Sequence, residues 1–177
     1  MNRKTVGEVI SFSGISNIHD EPIGLPEKGK LIHLQFRRFY GCPVCSMHVH
    51  SLVKSEEQLA KHGIKEVIVF STSEDKLLEN KFNSSFDFVA DPDQKLYELF
   101  GLEPSWKALL SPGAVKNAAL GASKYGLSMA PSVKAEFTVP ADFLIDSEGK
   151  IIALKYGKHA DDQWSIEELL NLAAKQN

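Results

Sequence analysis

The only two cysteines of this 177-residue chain stand three residues apart, in Phe39-Tyr40-Gly41-Cys42-Pro43-Val44-Cys45, directly after the apolar run Leu31 to Phe36. A C-x-x-C at the joint between a strand and a helix limits the chain to few folds, because both thiols must share one face of the helix start to close a disulfide. With Cys42 at the N-cap, Pro43 takes the first helical position, where its missing N–H costs nothing, and Cys45 lies one turn in. A thiolate at Cys42 then faces the free N–H groups and the positive end of the helix dipole. Such surroundings lower a cysteine pKa from about 8.5 into a range of roughly 3.5–7.5. Cys42 is therefore read as the nucleophile and as the more exposed and more acidic thiol. Cys45, on one face with Val49, Leu52 and Val53, is read as the buried resolving thiol.

Composition narrows the partners. With 43% hydrophobic and 24% charged residues the chain reads as one globular domain over 1–177. The net charge is −3 and the 20 Lys and Arg are dispersed, so neither nucleic acid nor an anionic membrane is expected as a partner. The N-terminal stretch lacks an apolar leader segment and no run reaches transmembrane length, so a cytoplasmic location is expected. In a reducing compartment a C-x-x-C is catalytic or metal-binding more often than a structural staple. A structural zinc site would need four ligands; His48 and His50 lie near, but no second Cys/His cluster supplies the rest, so no metal or other cofactor is expected.

Along the chain, residues 1–30 read as an extended lead-in or edge hairpin. Strands are expected at Leu31 to Phe36, Glu66 to Ser71 and Phe86 to Ala90, with a hairpin of Asp142 to Asp146 and Ile151 to Leu154. Helices are expected from Pro43 to near Gly63, over Glu74 to Phe82, from Asp91-Pro92-Asp93-Gln94 to Gly101, and after the capping box Ser165-x-x-Glu168. Residues 104–137, rich in alanine and glycine, read as a helical insert, with a lid over the cysteines or a subunit contact as further readings. The sum is an α/β chain with a mixed central sheet and helices on both faces, a thioredoxin-type arrangement.

The cysteine loop from Phe36 to Cys45, the segment Ala90-Asp91-Pro92-Asp93 and the strand Val139-Pro140-Ala141-Asp142-Phe143-Leu144-Ile145-Asp146 with its Ser147-Glu148-Gly149-Lys150-Ile151 turn resemble the peroxiredoxin-like proteins of the alkyl hydroperoxide reductase/thiol-specific antioxidant group that carry a C-x-x-C. The resemblance covers roughly residues 30–175, and it implies a thioredoxin fold and antioxidant oxidoreductase activity. Two departures bear on the chemistry. If Cys45 is matched to the peroxidatic cysteine, Cys42 occupies the place of that group's Thr or Ser; and Pro140 stands where its late arginine aligns, the only arginines being Arg3, Arg37 and Arg38. A proline there is what thioredoxin-like oxidoreductases use as a cis residue facing the disulfide, with Val139 pairing to an extended substrate. A plain trans edge proline is the alternative. Thioredoxins also bury a carboxylate beneath the cysteines, and the nearest equivalent in this sequence is Gln35.

Arg37 and Arg38 end a strand, so alternation sends one to each side: one to stabilise the Cys42 thiolate, the other into solvent. Tyr40 either packs or shields that thiolate. The resulting expectation is a thiol–disulfide oxidoreductase whose catalytic residues are Cys42, Cys45 and Pro140, with Val139, Tyr40, Arg37 and Arg38 binding substrate. Its partners would be a protein or small-molecule disulfide and an upstream thiol reductant; a homodimer is left open. The alternatives are a peroxidase acting on hydroperoxides, and a non-catalytic binding domain with a metal-bound or idle C-x-x-C.

Overall fold

The computed structural model describes residues 2–12, 14–79, 82–102, 123 and 137–176. Five strands form one sheet: β1 (Leu31–Arg37), β2 (Ile64–Phe70), β3 (Asp87–Ala90), β4 (Ala141–Ile145) and β5 (Ile151–Tyr156), in the order β3-β2-β1-β4-β5. β1, β2 and β3 run parallel, whereas β4 is antiparallel to β1 and β5 to β4. The helices are α1 (Pro43–Lys54), α2 (Glu56–Lys61), α3 (Glu74–Leu78), α4 (Lys95–Leu99) and α5 (Ile166–Ala174). The mixed α/β sheet expected from the sequence is present, and most of the expected insert 104–137 lies outside the described residues.

The sheet divides two cores. On one face Ile32, Leu34 and Phe36 of β1 pack with Val67, Val69, Tyr97 of α4, Phe100, Ala141, Phe143 and Ile145, closed by Ile10, Ile23 and Leu25 of the N-terminal segment. On the other face α1, α2, α3 and α5 contribute Val49, Leu52, Leu59, Leu77, Leu169 and Ala173, packed on Ile68, Phe70, Phe88 and Leu144 together with both cysteines. The lead-in is tied down by isolated bridges, Val9 to Lys150, Phe12 to Leu25 and Ser16 to Pro22.

Several local expectations need correction. The helix from Pro43 does not run unbroken to Gly63: it stops at Ser55, whose ψ of 11° lies off the helix, and α2 restarts behind it. Gly63 does adopt a positive φ just past that end. The helix expected to start at Asp91 begins only at Lys95, because Gln94 takes a left-handed conformation with φ 58°. Asp91 still serves that helix, its carboxylate accepting from the N–H groups of Lys95 at 3.0 Å and Leu96 at 2.8 Å. The capping box at Ser165 and Glu168 is formed as expected.

Candidate active site

Cys42 is the N-cap of α1, in an extended conformation with φ −61° and ψ 119°, and Pro43 is the first helical residue. Gly41 makes the turn into the helix at φ 85°, a conformation in which a side chain is strained. Both thiols are free, and the Cys45 thiol hydrogen-bonds to Cys42. Burial opposes ionisation of Cys42, but that bond, the Arg38 guanidinium and the N–H groups of Cys45 and Val44 bring its pKa down to about 6. Cys45 moves the opposite way: its bond to Cys42 and its burial push the thiol well up. The acidities follow the expected asymmetry. The exposures do not, since Cys42 is 0% and Cys45 1% exposed. The expected exposed Cys42 is thus corrected: the N-cap sulfur is enclosed by Phe39, Val44 and the rest of that core, not presented to solvent.

Arg38 is the arginine at the sulfur. Its Nη1 donates to Cys42 Sγ at 3.6 Å, and its guanidinium lies over the Phe39 ring, 5.3 Å from the centroid. The Arg38 carbonyl accepts from the Ser71 N–H at 3.1 Å, and the Tyr40 N–H donates to Thr72 Oγ1 at 2.8 Å, so the loop between β1 and α1 is stitched to the end of β2. The half-buried ring of Tyr40 packs edge-on against Phe82.

The second arginine is not in solvent. Arg37 is 0% exposed and sits on the face of β1 that α1 covers. His33, Gln35 and Arg37 alternate onto that face, and the sheet register brings Glu66 of β2 opposite His33 and Asp142 of β4 opposite Gln35. Arg37 Nη2 donates to Asp142 Oδ1 at 2.5 Å and to Gln35 Oε1 at 2.6 Å; Gln35 Nε2 donates to Glu66. His33 bridges the two carboxylates, 2.9 Å from Glu66 and 3.1 Å from Asp142. Burial works against a charged ring, but the flanking carboxylates push His33 up to about 9. Burial would likewise raise Asp142, yet Arg37 and His33 hold it well below the usual carboxylate range. The buried carboxylates beneath the thiol helix are therefore Asp142 and Glu66, joined directly by His33 and, through Arg37, by Gln35. No local signal marked them, because β2 and β4 are buried on both faces and alternation there does not separate an inner from an outer side.

The Val139–Pro140 bond is trans; Leu25–Pro26 is the cis peptide among the described residues. The expected cis proline is thus corrected. Pro140 leads straight into β4, and its carbonyl accepts from the Gly157 N–H at 2.8 Å, which extends the β4–β5 ladder by one pair. A Cβ at Gly157 would stand 2.8 Å from that carbonyl oxygen, so only glycine permits the approach. Val139 is buried at 5% exposure. Continuing the β1–β4 register by one residue sets Pro140 opposite Arg37, at the end of the sheet where the cysteine loop begins.

Among the described residues no group of three or more His, Cys, Asp or Glu side chains is arranged to hold a metal ion. No helix among them is long and apolar enough to cross a membrane.

Comparison with known proteins gives one pattern. No curated protein sequence matches the chain. Among solved structures it is similar to a peroxiredoxin-like protein from Aquifex aeolicus, with a TM-score of 0.66 and 15% identity over 100% of this chain and 90% of that one. The reduced 2-Cys peroxiredoxin of Plasmodium vivax gives a TM-score of 0.65 and 14% identity over 96% and 80% of the two chains. A structure from Chlorobium tepidum described as a thiol:disulfide interchange protein DsbE gives a TM-score of 0.60 and 15% identity over 97% and 99% of the two chains. These likenesses establish the thioredoxin fold. The family model of the AhpC/TSA family matches residues 16–154, most of the chain. This chain, with its paired thiols at the start of α1, belongs to the AhpC/TSA family of thiol-based redox proteins.

Proposed function

We propose that the protein is a dithiol oxidoreductase in which Cys42 attacks a small electrophile and Cys45 resolves the product, the pair cycling between dithiol and disulfide. The observation that carries this reading is the opposite tuning of two adjacent sulfurs, one down to about 6 by a thiol donor and Arg38, the other well up. A nucleophile ionised at neutral pH beside a protonated partner is what an attack followed by resolution requires.

Two electrophiles fit. With a disulfide, Cys42 attacks one sulfur, the substrate S–S bond breaks and a thiolate leaves; Cys45 then loses its proton, attacks Cys42 Sγ and expels the second thiolate. With a hydroperoxide, Cys42 attacks the outer oxygen, the O–O bond breaks and a sulfenic acid forms while the alkoxide or hydroxide takes up a proton. Cys45 then condenses with the sulfenic acid and water leaves. In both cases a thiol reductant restores the pair.

Disulfide exchange is the chemistry expected from the C-x-x-C, but the docking of an extended peptide on a cis Val139–Pro140 bond loses its support with the bond trans and the Pro140 carbonyl engaged. The hydroperoxide gains support from Arg38, a cation placed at the sulfur to stabilise charge developing there, a contribution of about 3–4 kcal/mol per such group in favourable cases. Complete burial of both sulfurs also favours a small substrate over a protein disulfide. Hydroperoxide is accordingly the favoured oxidising substrate.

The test is a stopped-flow comparison of the reduced protein with hydrogen peroxide, glutathione disulfide and a protein disulfide, with mass spectrometry of the product. The expected result is a faster reaction with peroxide, ending in a Cys42–Cys45 disulfide, with a sulfenic acid trapped at Cys42 in Cys45→Ser and no reaction in Cys42→Ser. A protein disulfide reacting faster than peroxide would restore the exchange reading. Full reactivity of Cys42→Ser would remove both.

A further inference from the structure

The polar stripe His33, Gln35 and Arg37 lies on the central strand, fully buried, on the face beneath the thiol helix. Replacing a buried ionic cluster by well-packed hydrocarbon is often neutral or stabilising, so the cluster is not explained by stability. Two contacts tie it to backbone, the Trp164 N–H donating to Asp142 Oδ2 at 3.3 Å and Arg37 Nη1 donating to the Phe36 carbonyl at 3.2 Å, and one ties it to a side chain of the thiol helix. Arg37 Nη2 reaches out of the sheet to His48 Nε2 of α1 at 3.0 Å, and His48 stands one turn beyond Cys45.

We propose that Arg37 is a positioning residue of the thiol site: braced by Asp142 and Gln35, it fixes α1 through His48 and so holds Cys42 within reach of Arg38. The inference rests on the reading of Cys42 as the nucleophile. A guanidinium has donors only, so His48 Nε2 is the acceptor and the imidazole is neutral, with its proton on Nδ1. Burial and the adjacent Arg37 keep it so. Arg37 Nη2 carries two N–H groups for three acceptors, and because Gln35 Oε1 also accepts from Nε at 3.0 Å, Nη2 can give one N–H to Asp142 and one to His48, so that a bond of fixed direction joins the sheet to the helix.

The end of β1 and the start of α1 are held by different partners. The Arg37 carbonyl is held from the opposite face by the Tyr97 hydroxyl, and the Arg38 carbonyl by the Ser71 N–H, so the backbone that carries Arg38 belongs to the sheet. Cys42 belongs to the helix. The 3.6 Å contact between Arg38 and Cys42 spans those two bodies, and the Arg37–His48 bond spans them one helical turn further on. The ionisable side chains that act on Cys42 are Arg38, from the loop, and Cys45, from α1 itself. His48 is held by Arg37, and its effect on the sulfur is exerted through the placement of α1.

The experiment measures alkylation of Cys42 by iodoacetamide in the reduced full-length protein across pH, with the label located by peptide mass spectrometry. His48→Leu deletes the acceptor; His48→Gln keeps one, since the glutamine Oε1 can occupy the position of Nε2. The wild-type midpoint is expected near 6. His48→Leu should move it upward and slow alkylation at the wild-type midpoint by about three- to five-fold, a shift approaching one pKa unit. His48→Gln should return most of that rate, which a role in packing alone would not predict. Arg37→Lys, which keeps the charge but loses the planar fork, should shift the midpoint in the same direction. A wild-type profile in folded His48→Leu or Arg37→Lys, or a His48→Gln as slow as His48→Leu, would overturn the positioning role. A wild-type midpoint at the ordinary thiol value would instead overturn the reading of Cys42 on which it rests.

Discussion

The two faces of the central strand carry opposite chemistry. Ile32, Leu34 and Phe36 enter a dry aromatic core in which Phe36, Phe100 and Phe143 meet at centroid distances of 4.9–5.9 Å. His33, Gln35 and Arg37, one residue out of phase, enter an ionic network under the thiol helix. Both faces are buried, so burial alone does not separate them. The aromatic face holds the sheet together and the ionic face determines where the thiol helix sits upon it, which implies that stability and thiol reactivity respond to different substitutions.

The largest separation is expected between Phe143→Ala and Arg38→Ala. Phe143 is fully buried among aromatic rings, and its truncation should cost about 3–5 kcal/mol in urea unfolding while leaving the Cys42 alkylation profile in place. Arg38→Ala should do the reverse: a Cys42 midpoint moved up from about 6, with little change in the unfolding midpoint measured below pH 6, where the thiol is protonated in both states. If Phe143→Ala displaced the thiol profile as far as Arg38→Ala, the two faces would not be separable.

A finer test uses pH. His33 is raised from 6.5 to about 9 in the folded protein, so its contribution to stability is complete below 6.5 and is lost as pH rises through 9. Cys42 is lowered from 9.0 to about 6, so its contribution is complete above 9.0 and is lost as pH falls through 6. Between about 6.5 and 9 the two slopes oppose each other. Cys42→Ser should therefore unmask a fall in stability across that window, measured by urea unfolding at both ends, that the wild type largely conceals. A Cys42→Ser profile as flat as the wild type would mean that His33 does not titrate as the network requires.

The smallest effect is expected far from both. Ser165 caps α5, accepting from the Glu168 N–H at 3.1 Å, and Ser165→Ala should cost about 1 kcal/mol without touching thiol reactivity.

Much of the fold was legible because its signals are local. Strand patterns gave β1 to β5 to within a few residues, and Ser165 with Glu168 marked the start of α5. Asp91 was legible as a group that serves a helix start but not as to where that start lies, since the left-handed Gln94 intervenes. The apolar reading of β1 rested on Leu31, Ile32, Leu34 and Phe36 and passed over the polar residues between them. Alternation by itself would have sent His33, Gln35 and Arg37 to solvent; a helix covering that face keeps them buried.

The chemistry available is written in one short segment: two thiols three apart with a proline between them at the head of a helix, because i, i+3 spacing and N-terminal dipole are local properties. Which arginine meets the sulfur, that both thiols are enclosed, that Pro140 is trans, and that Asp142 and Glu66 lie beneath the helix were decided only by the tertiary structure. Each depends on strands distant in sequence being brought into register, Gln35 beside Asp142 and His33 beside Glu66, and on a charge being buried only where its partner from another strand arrives with it.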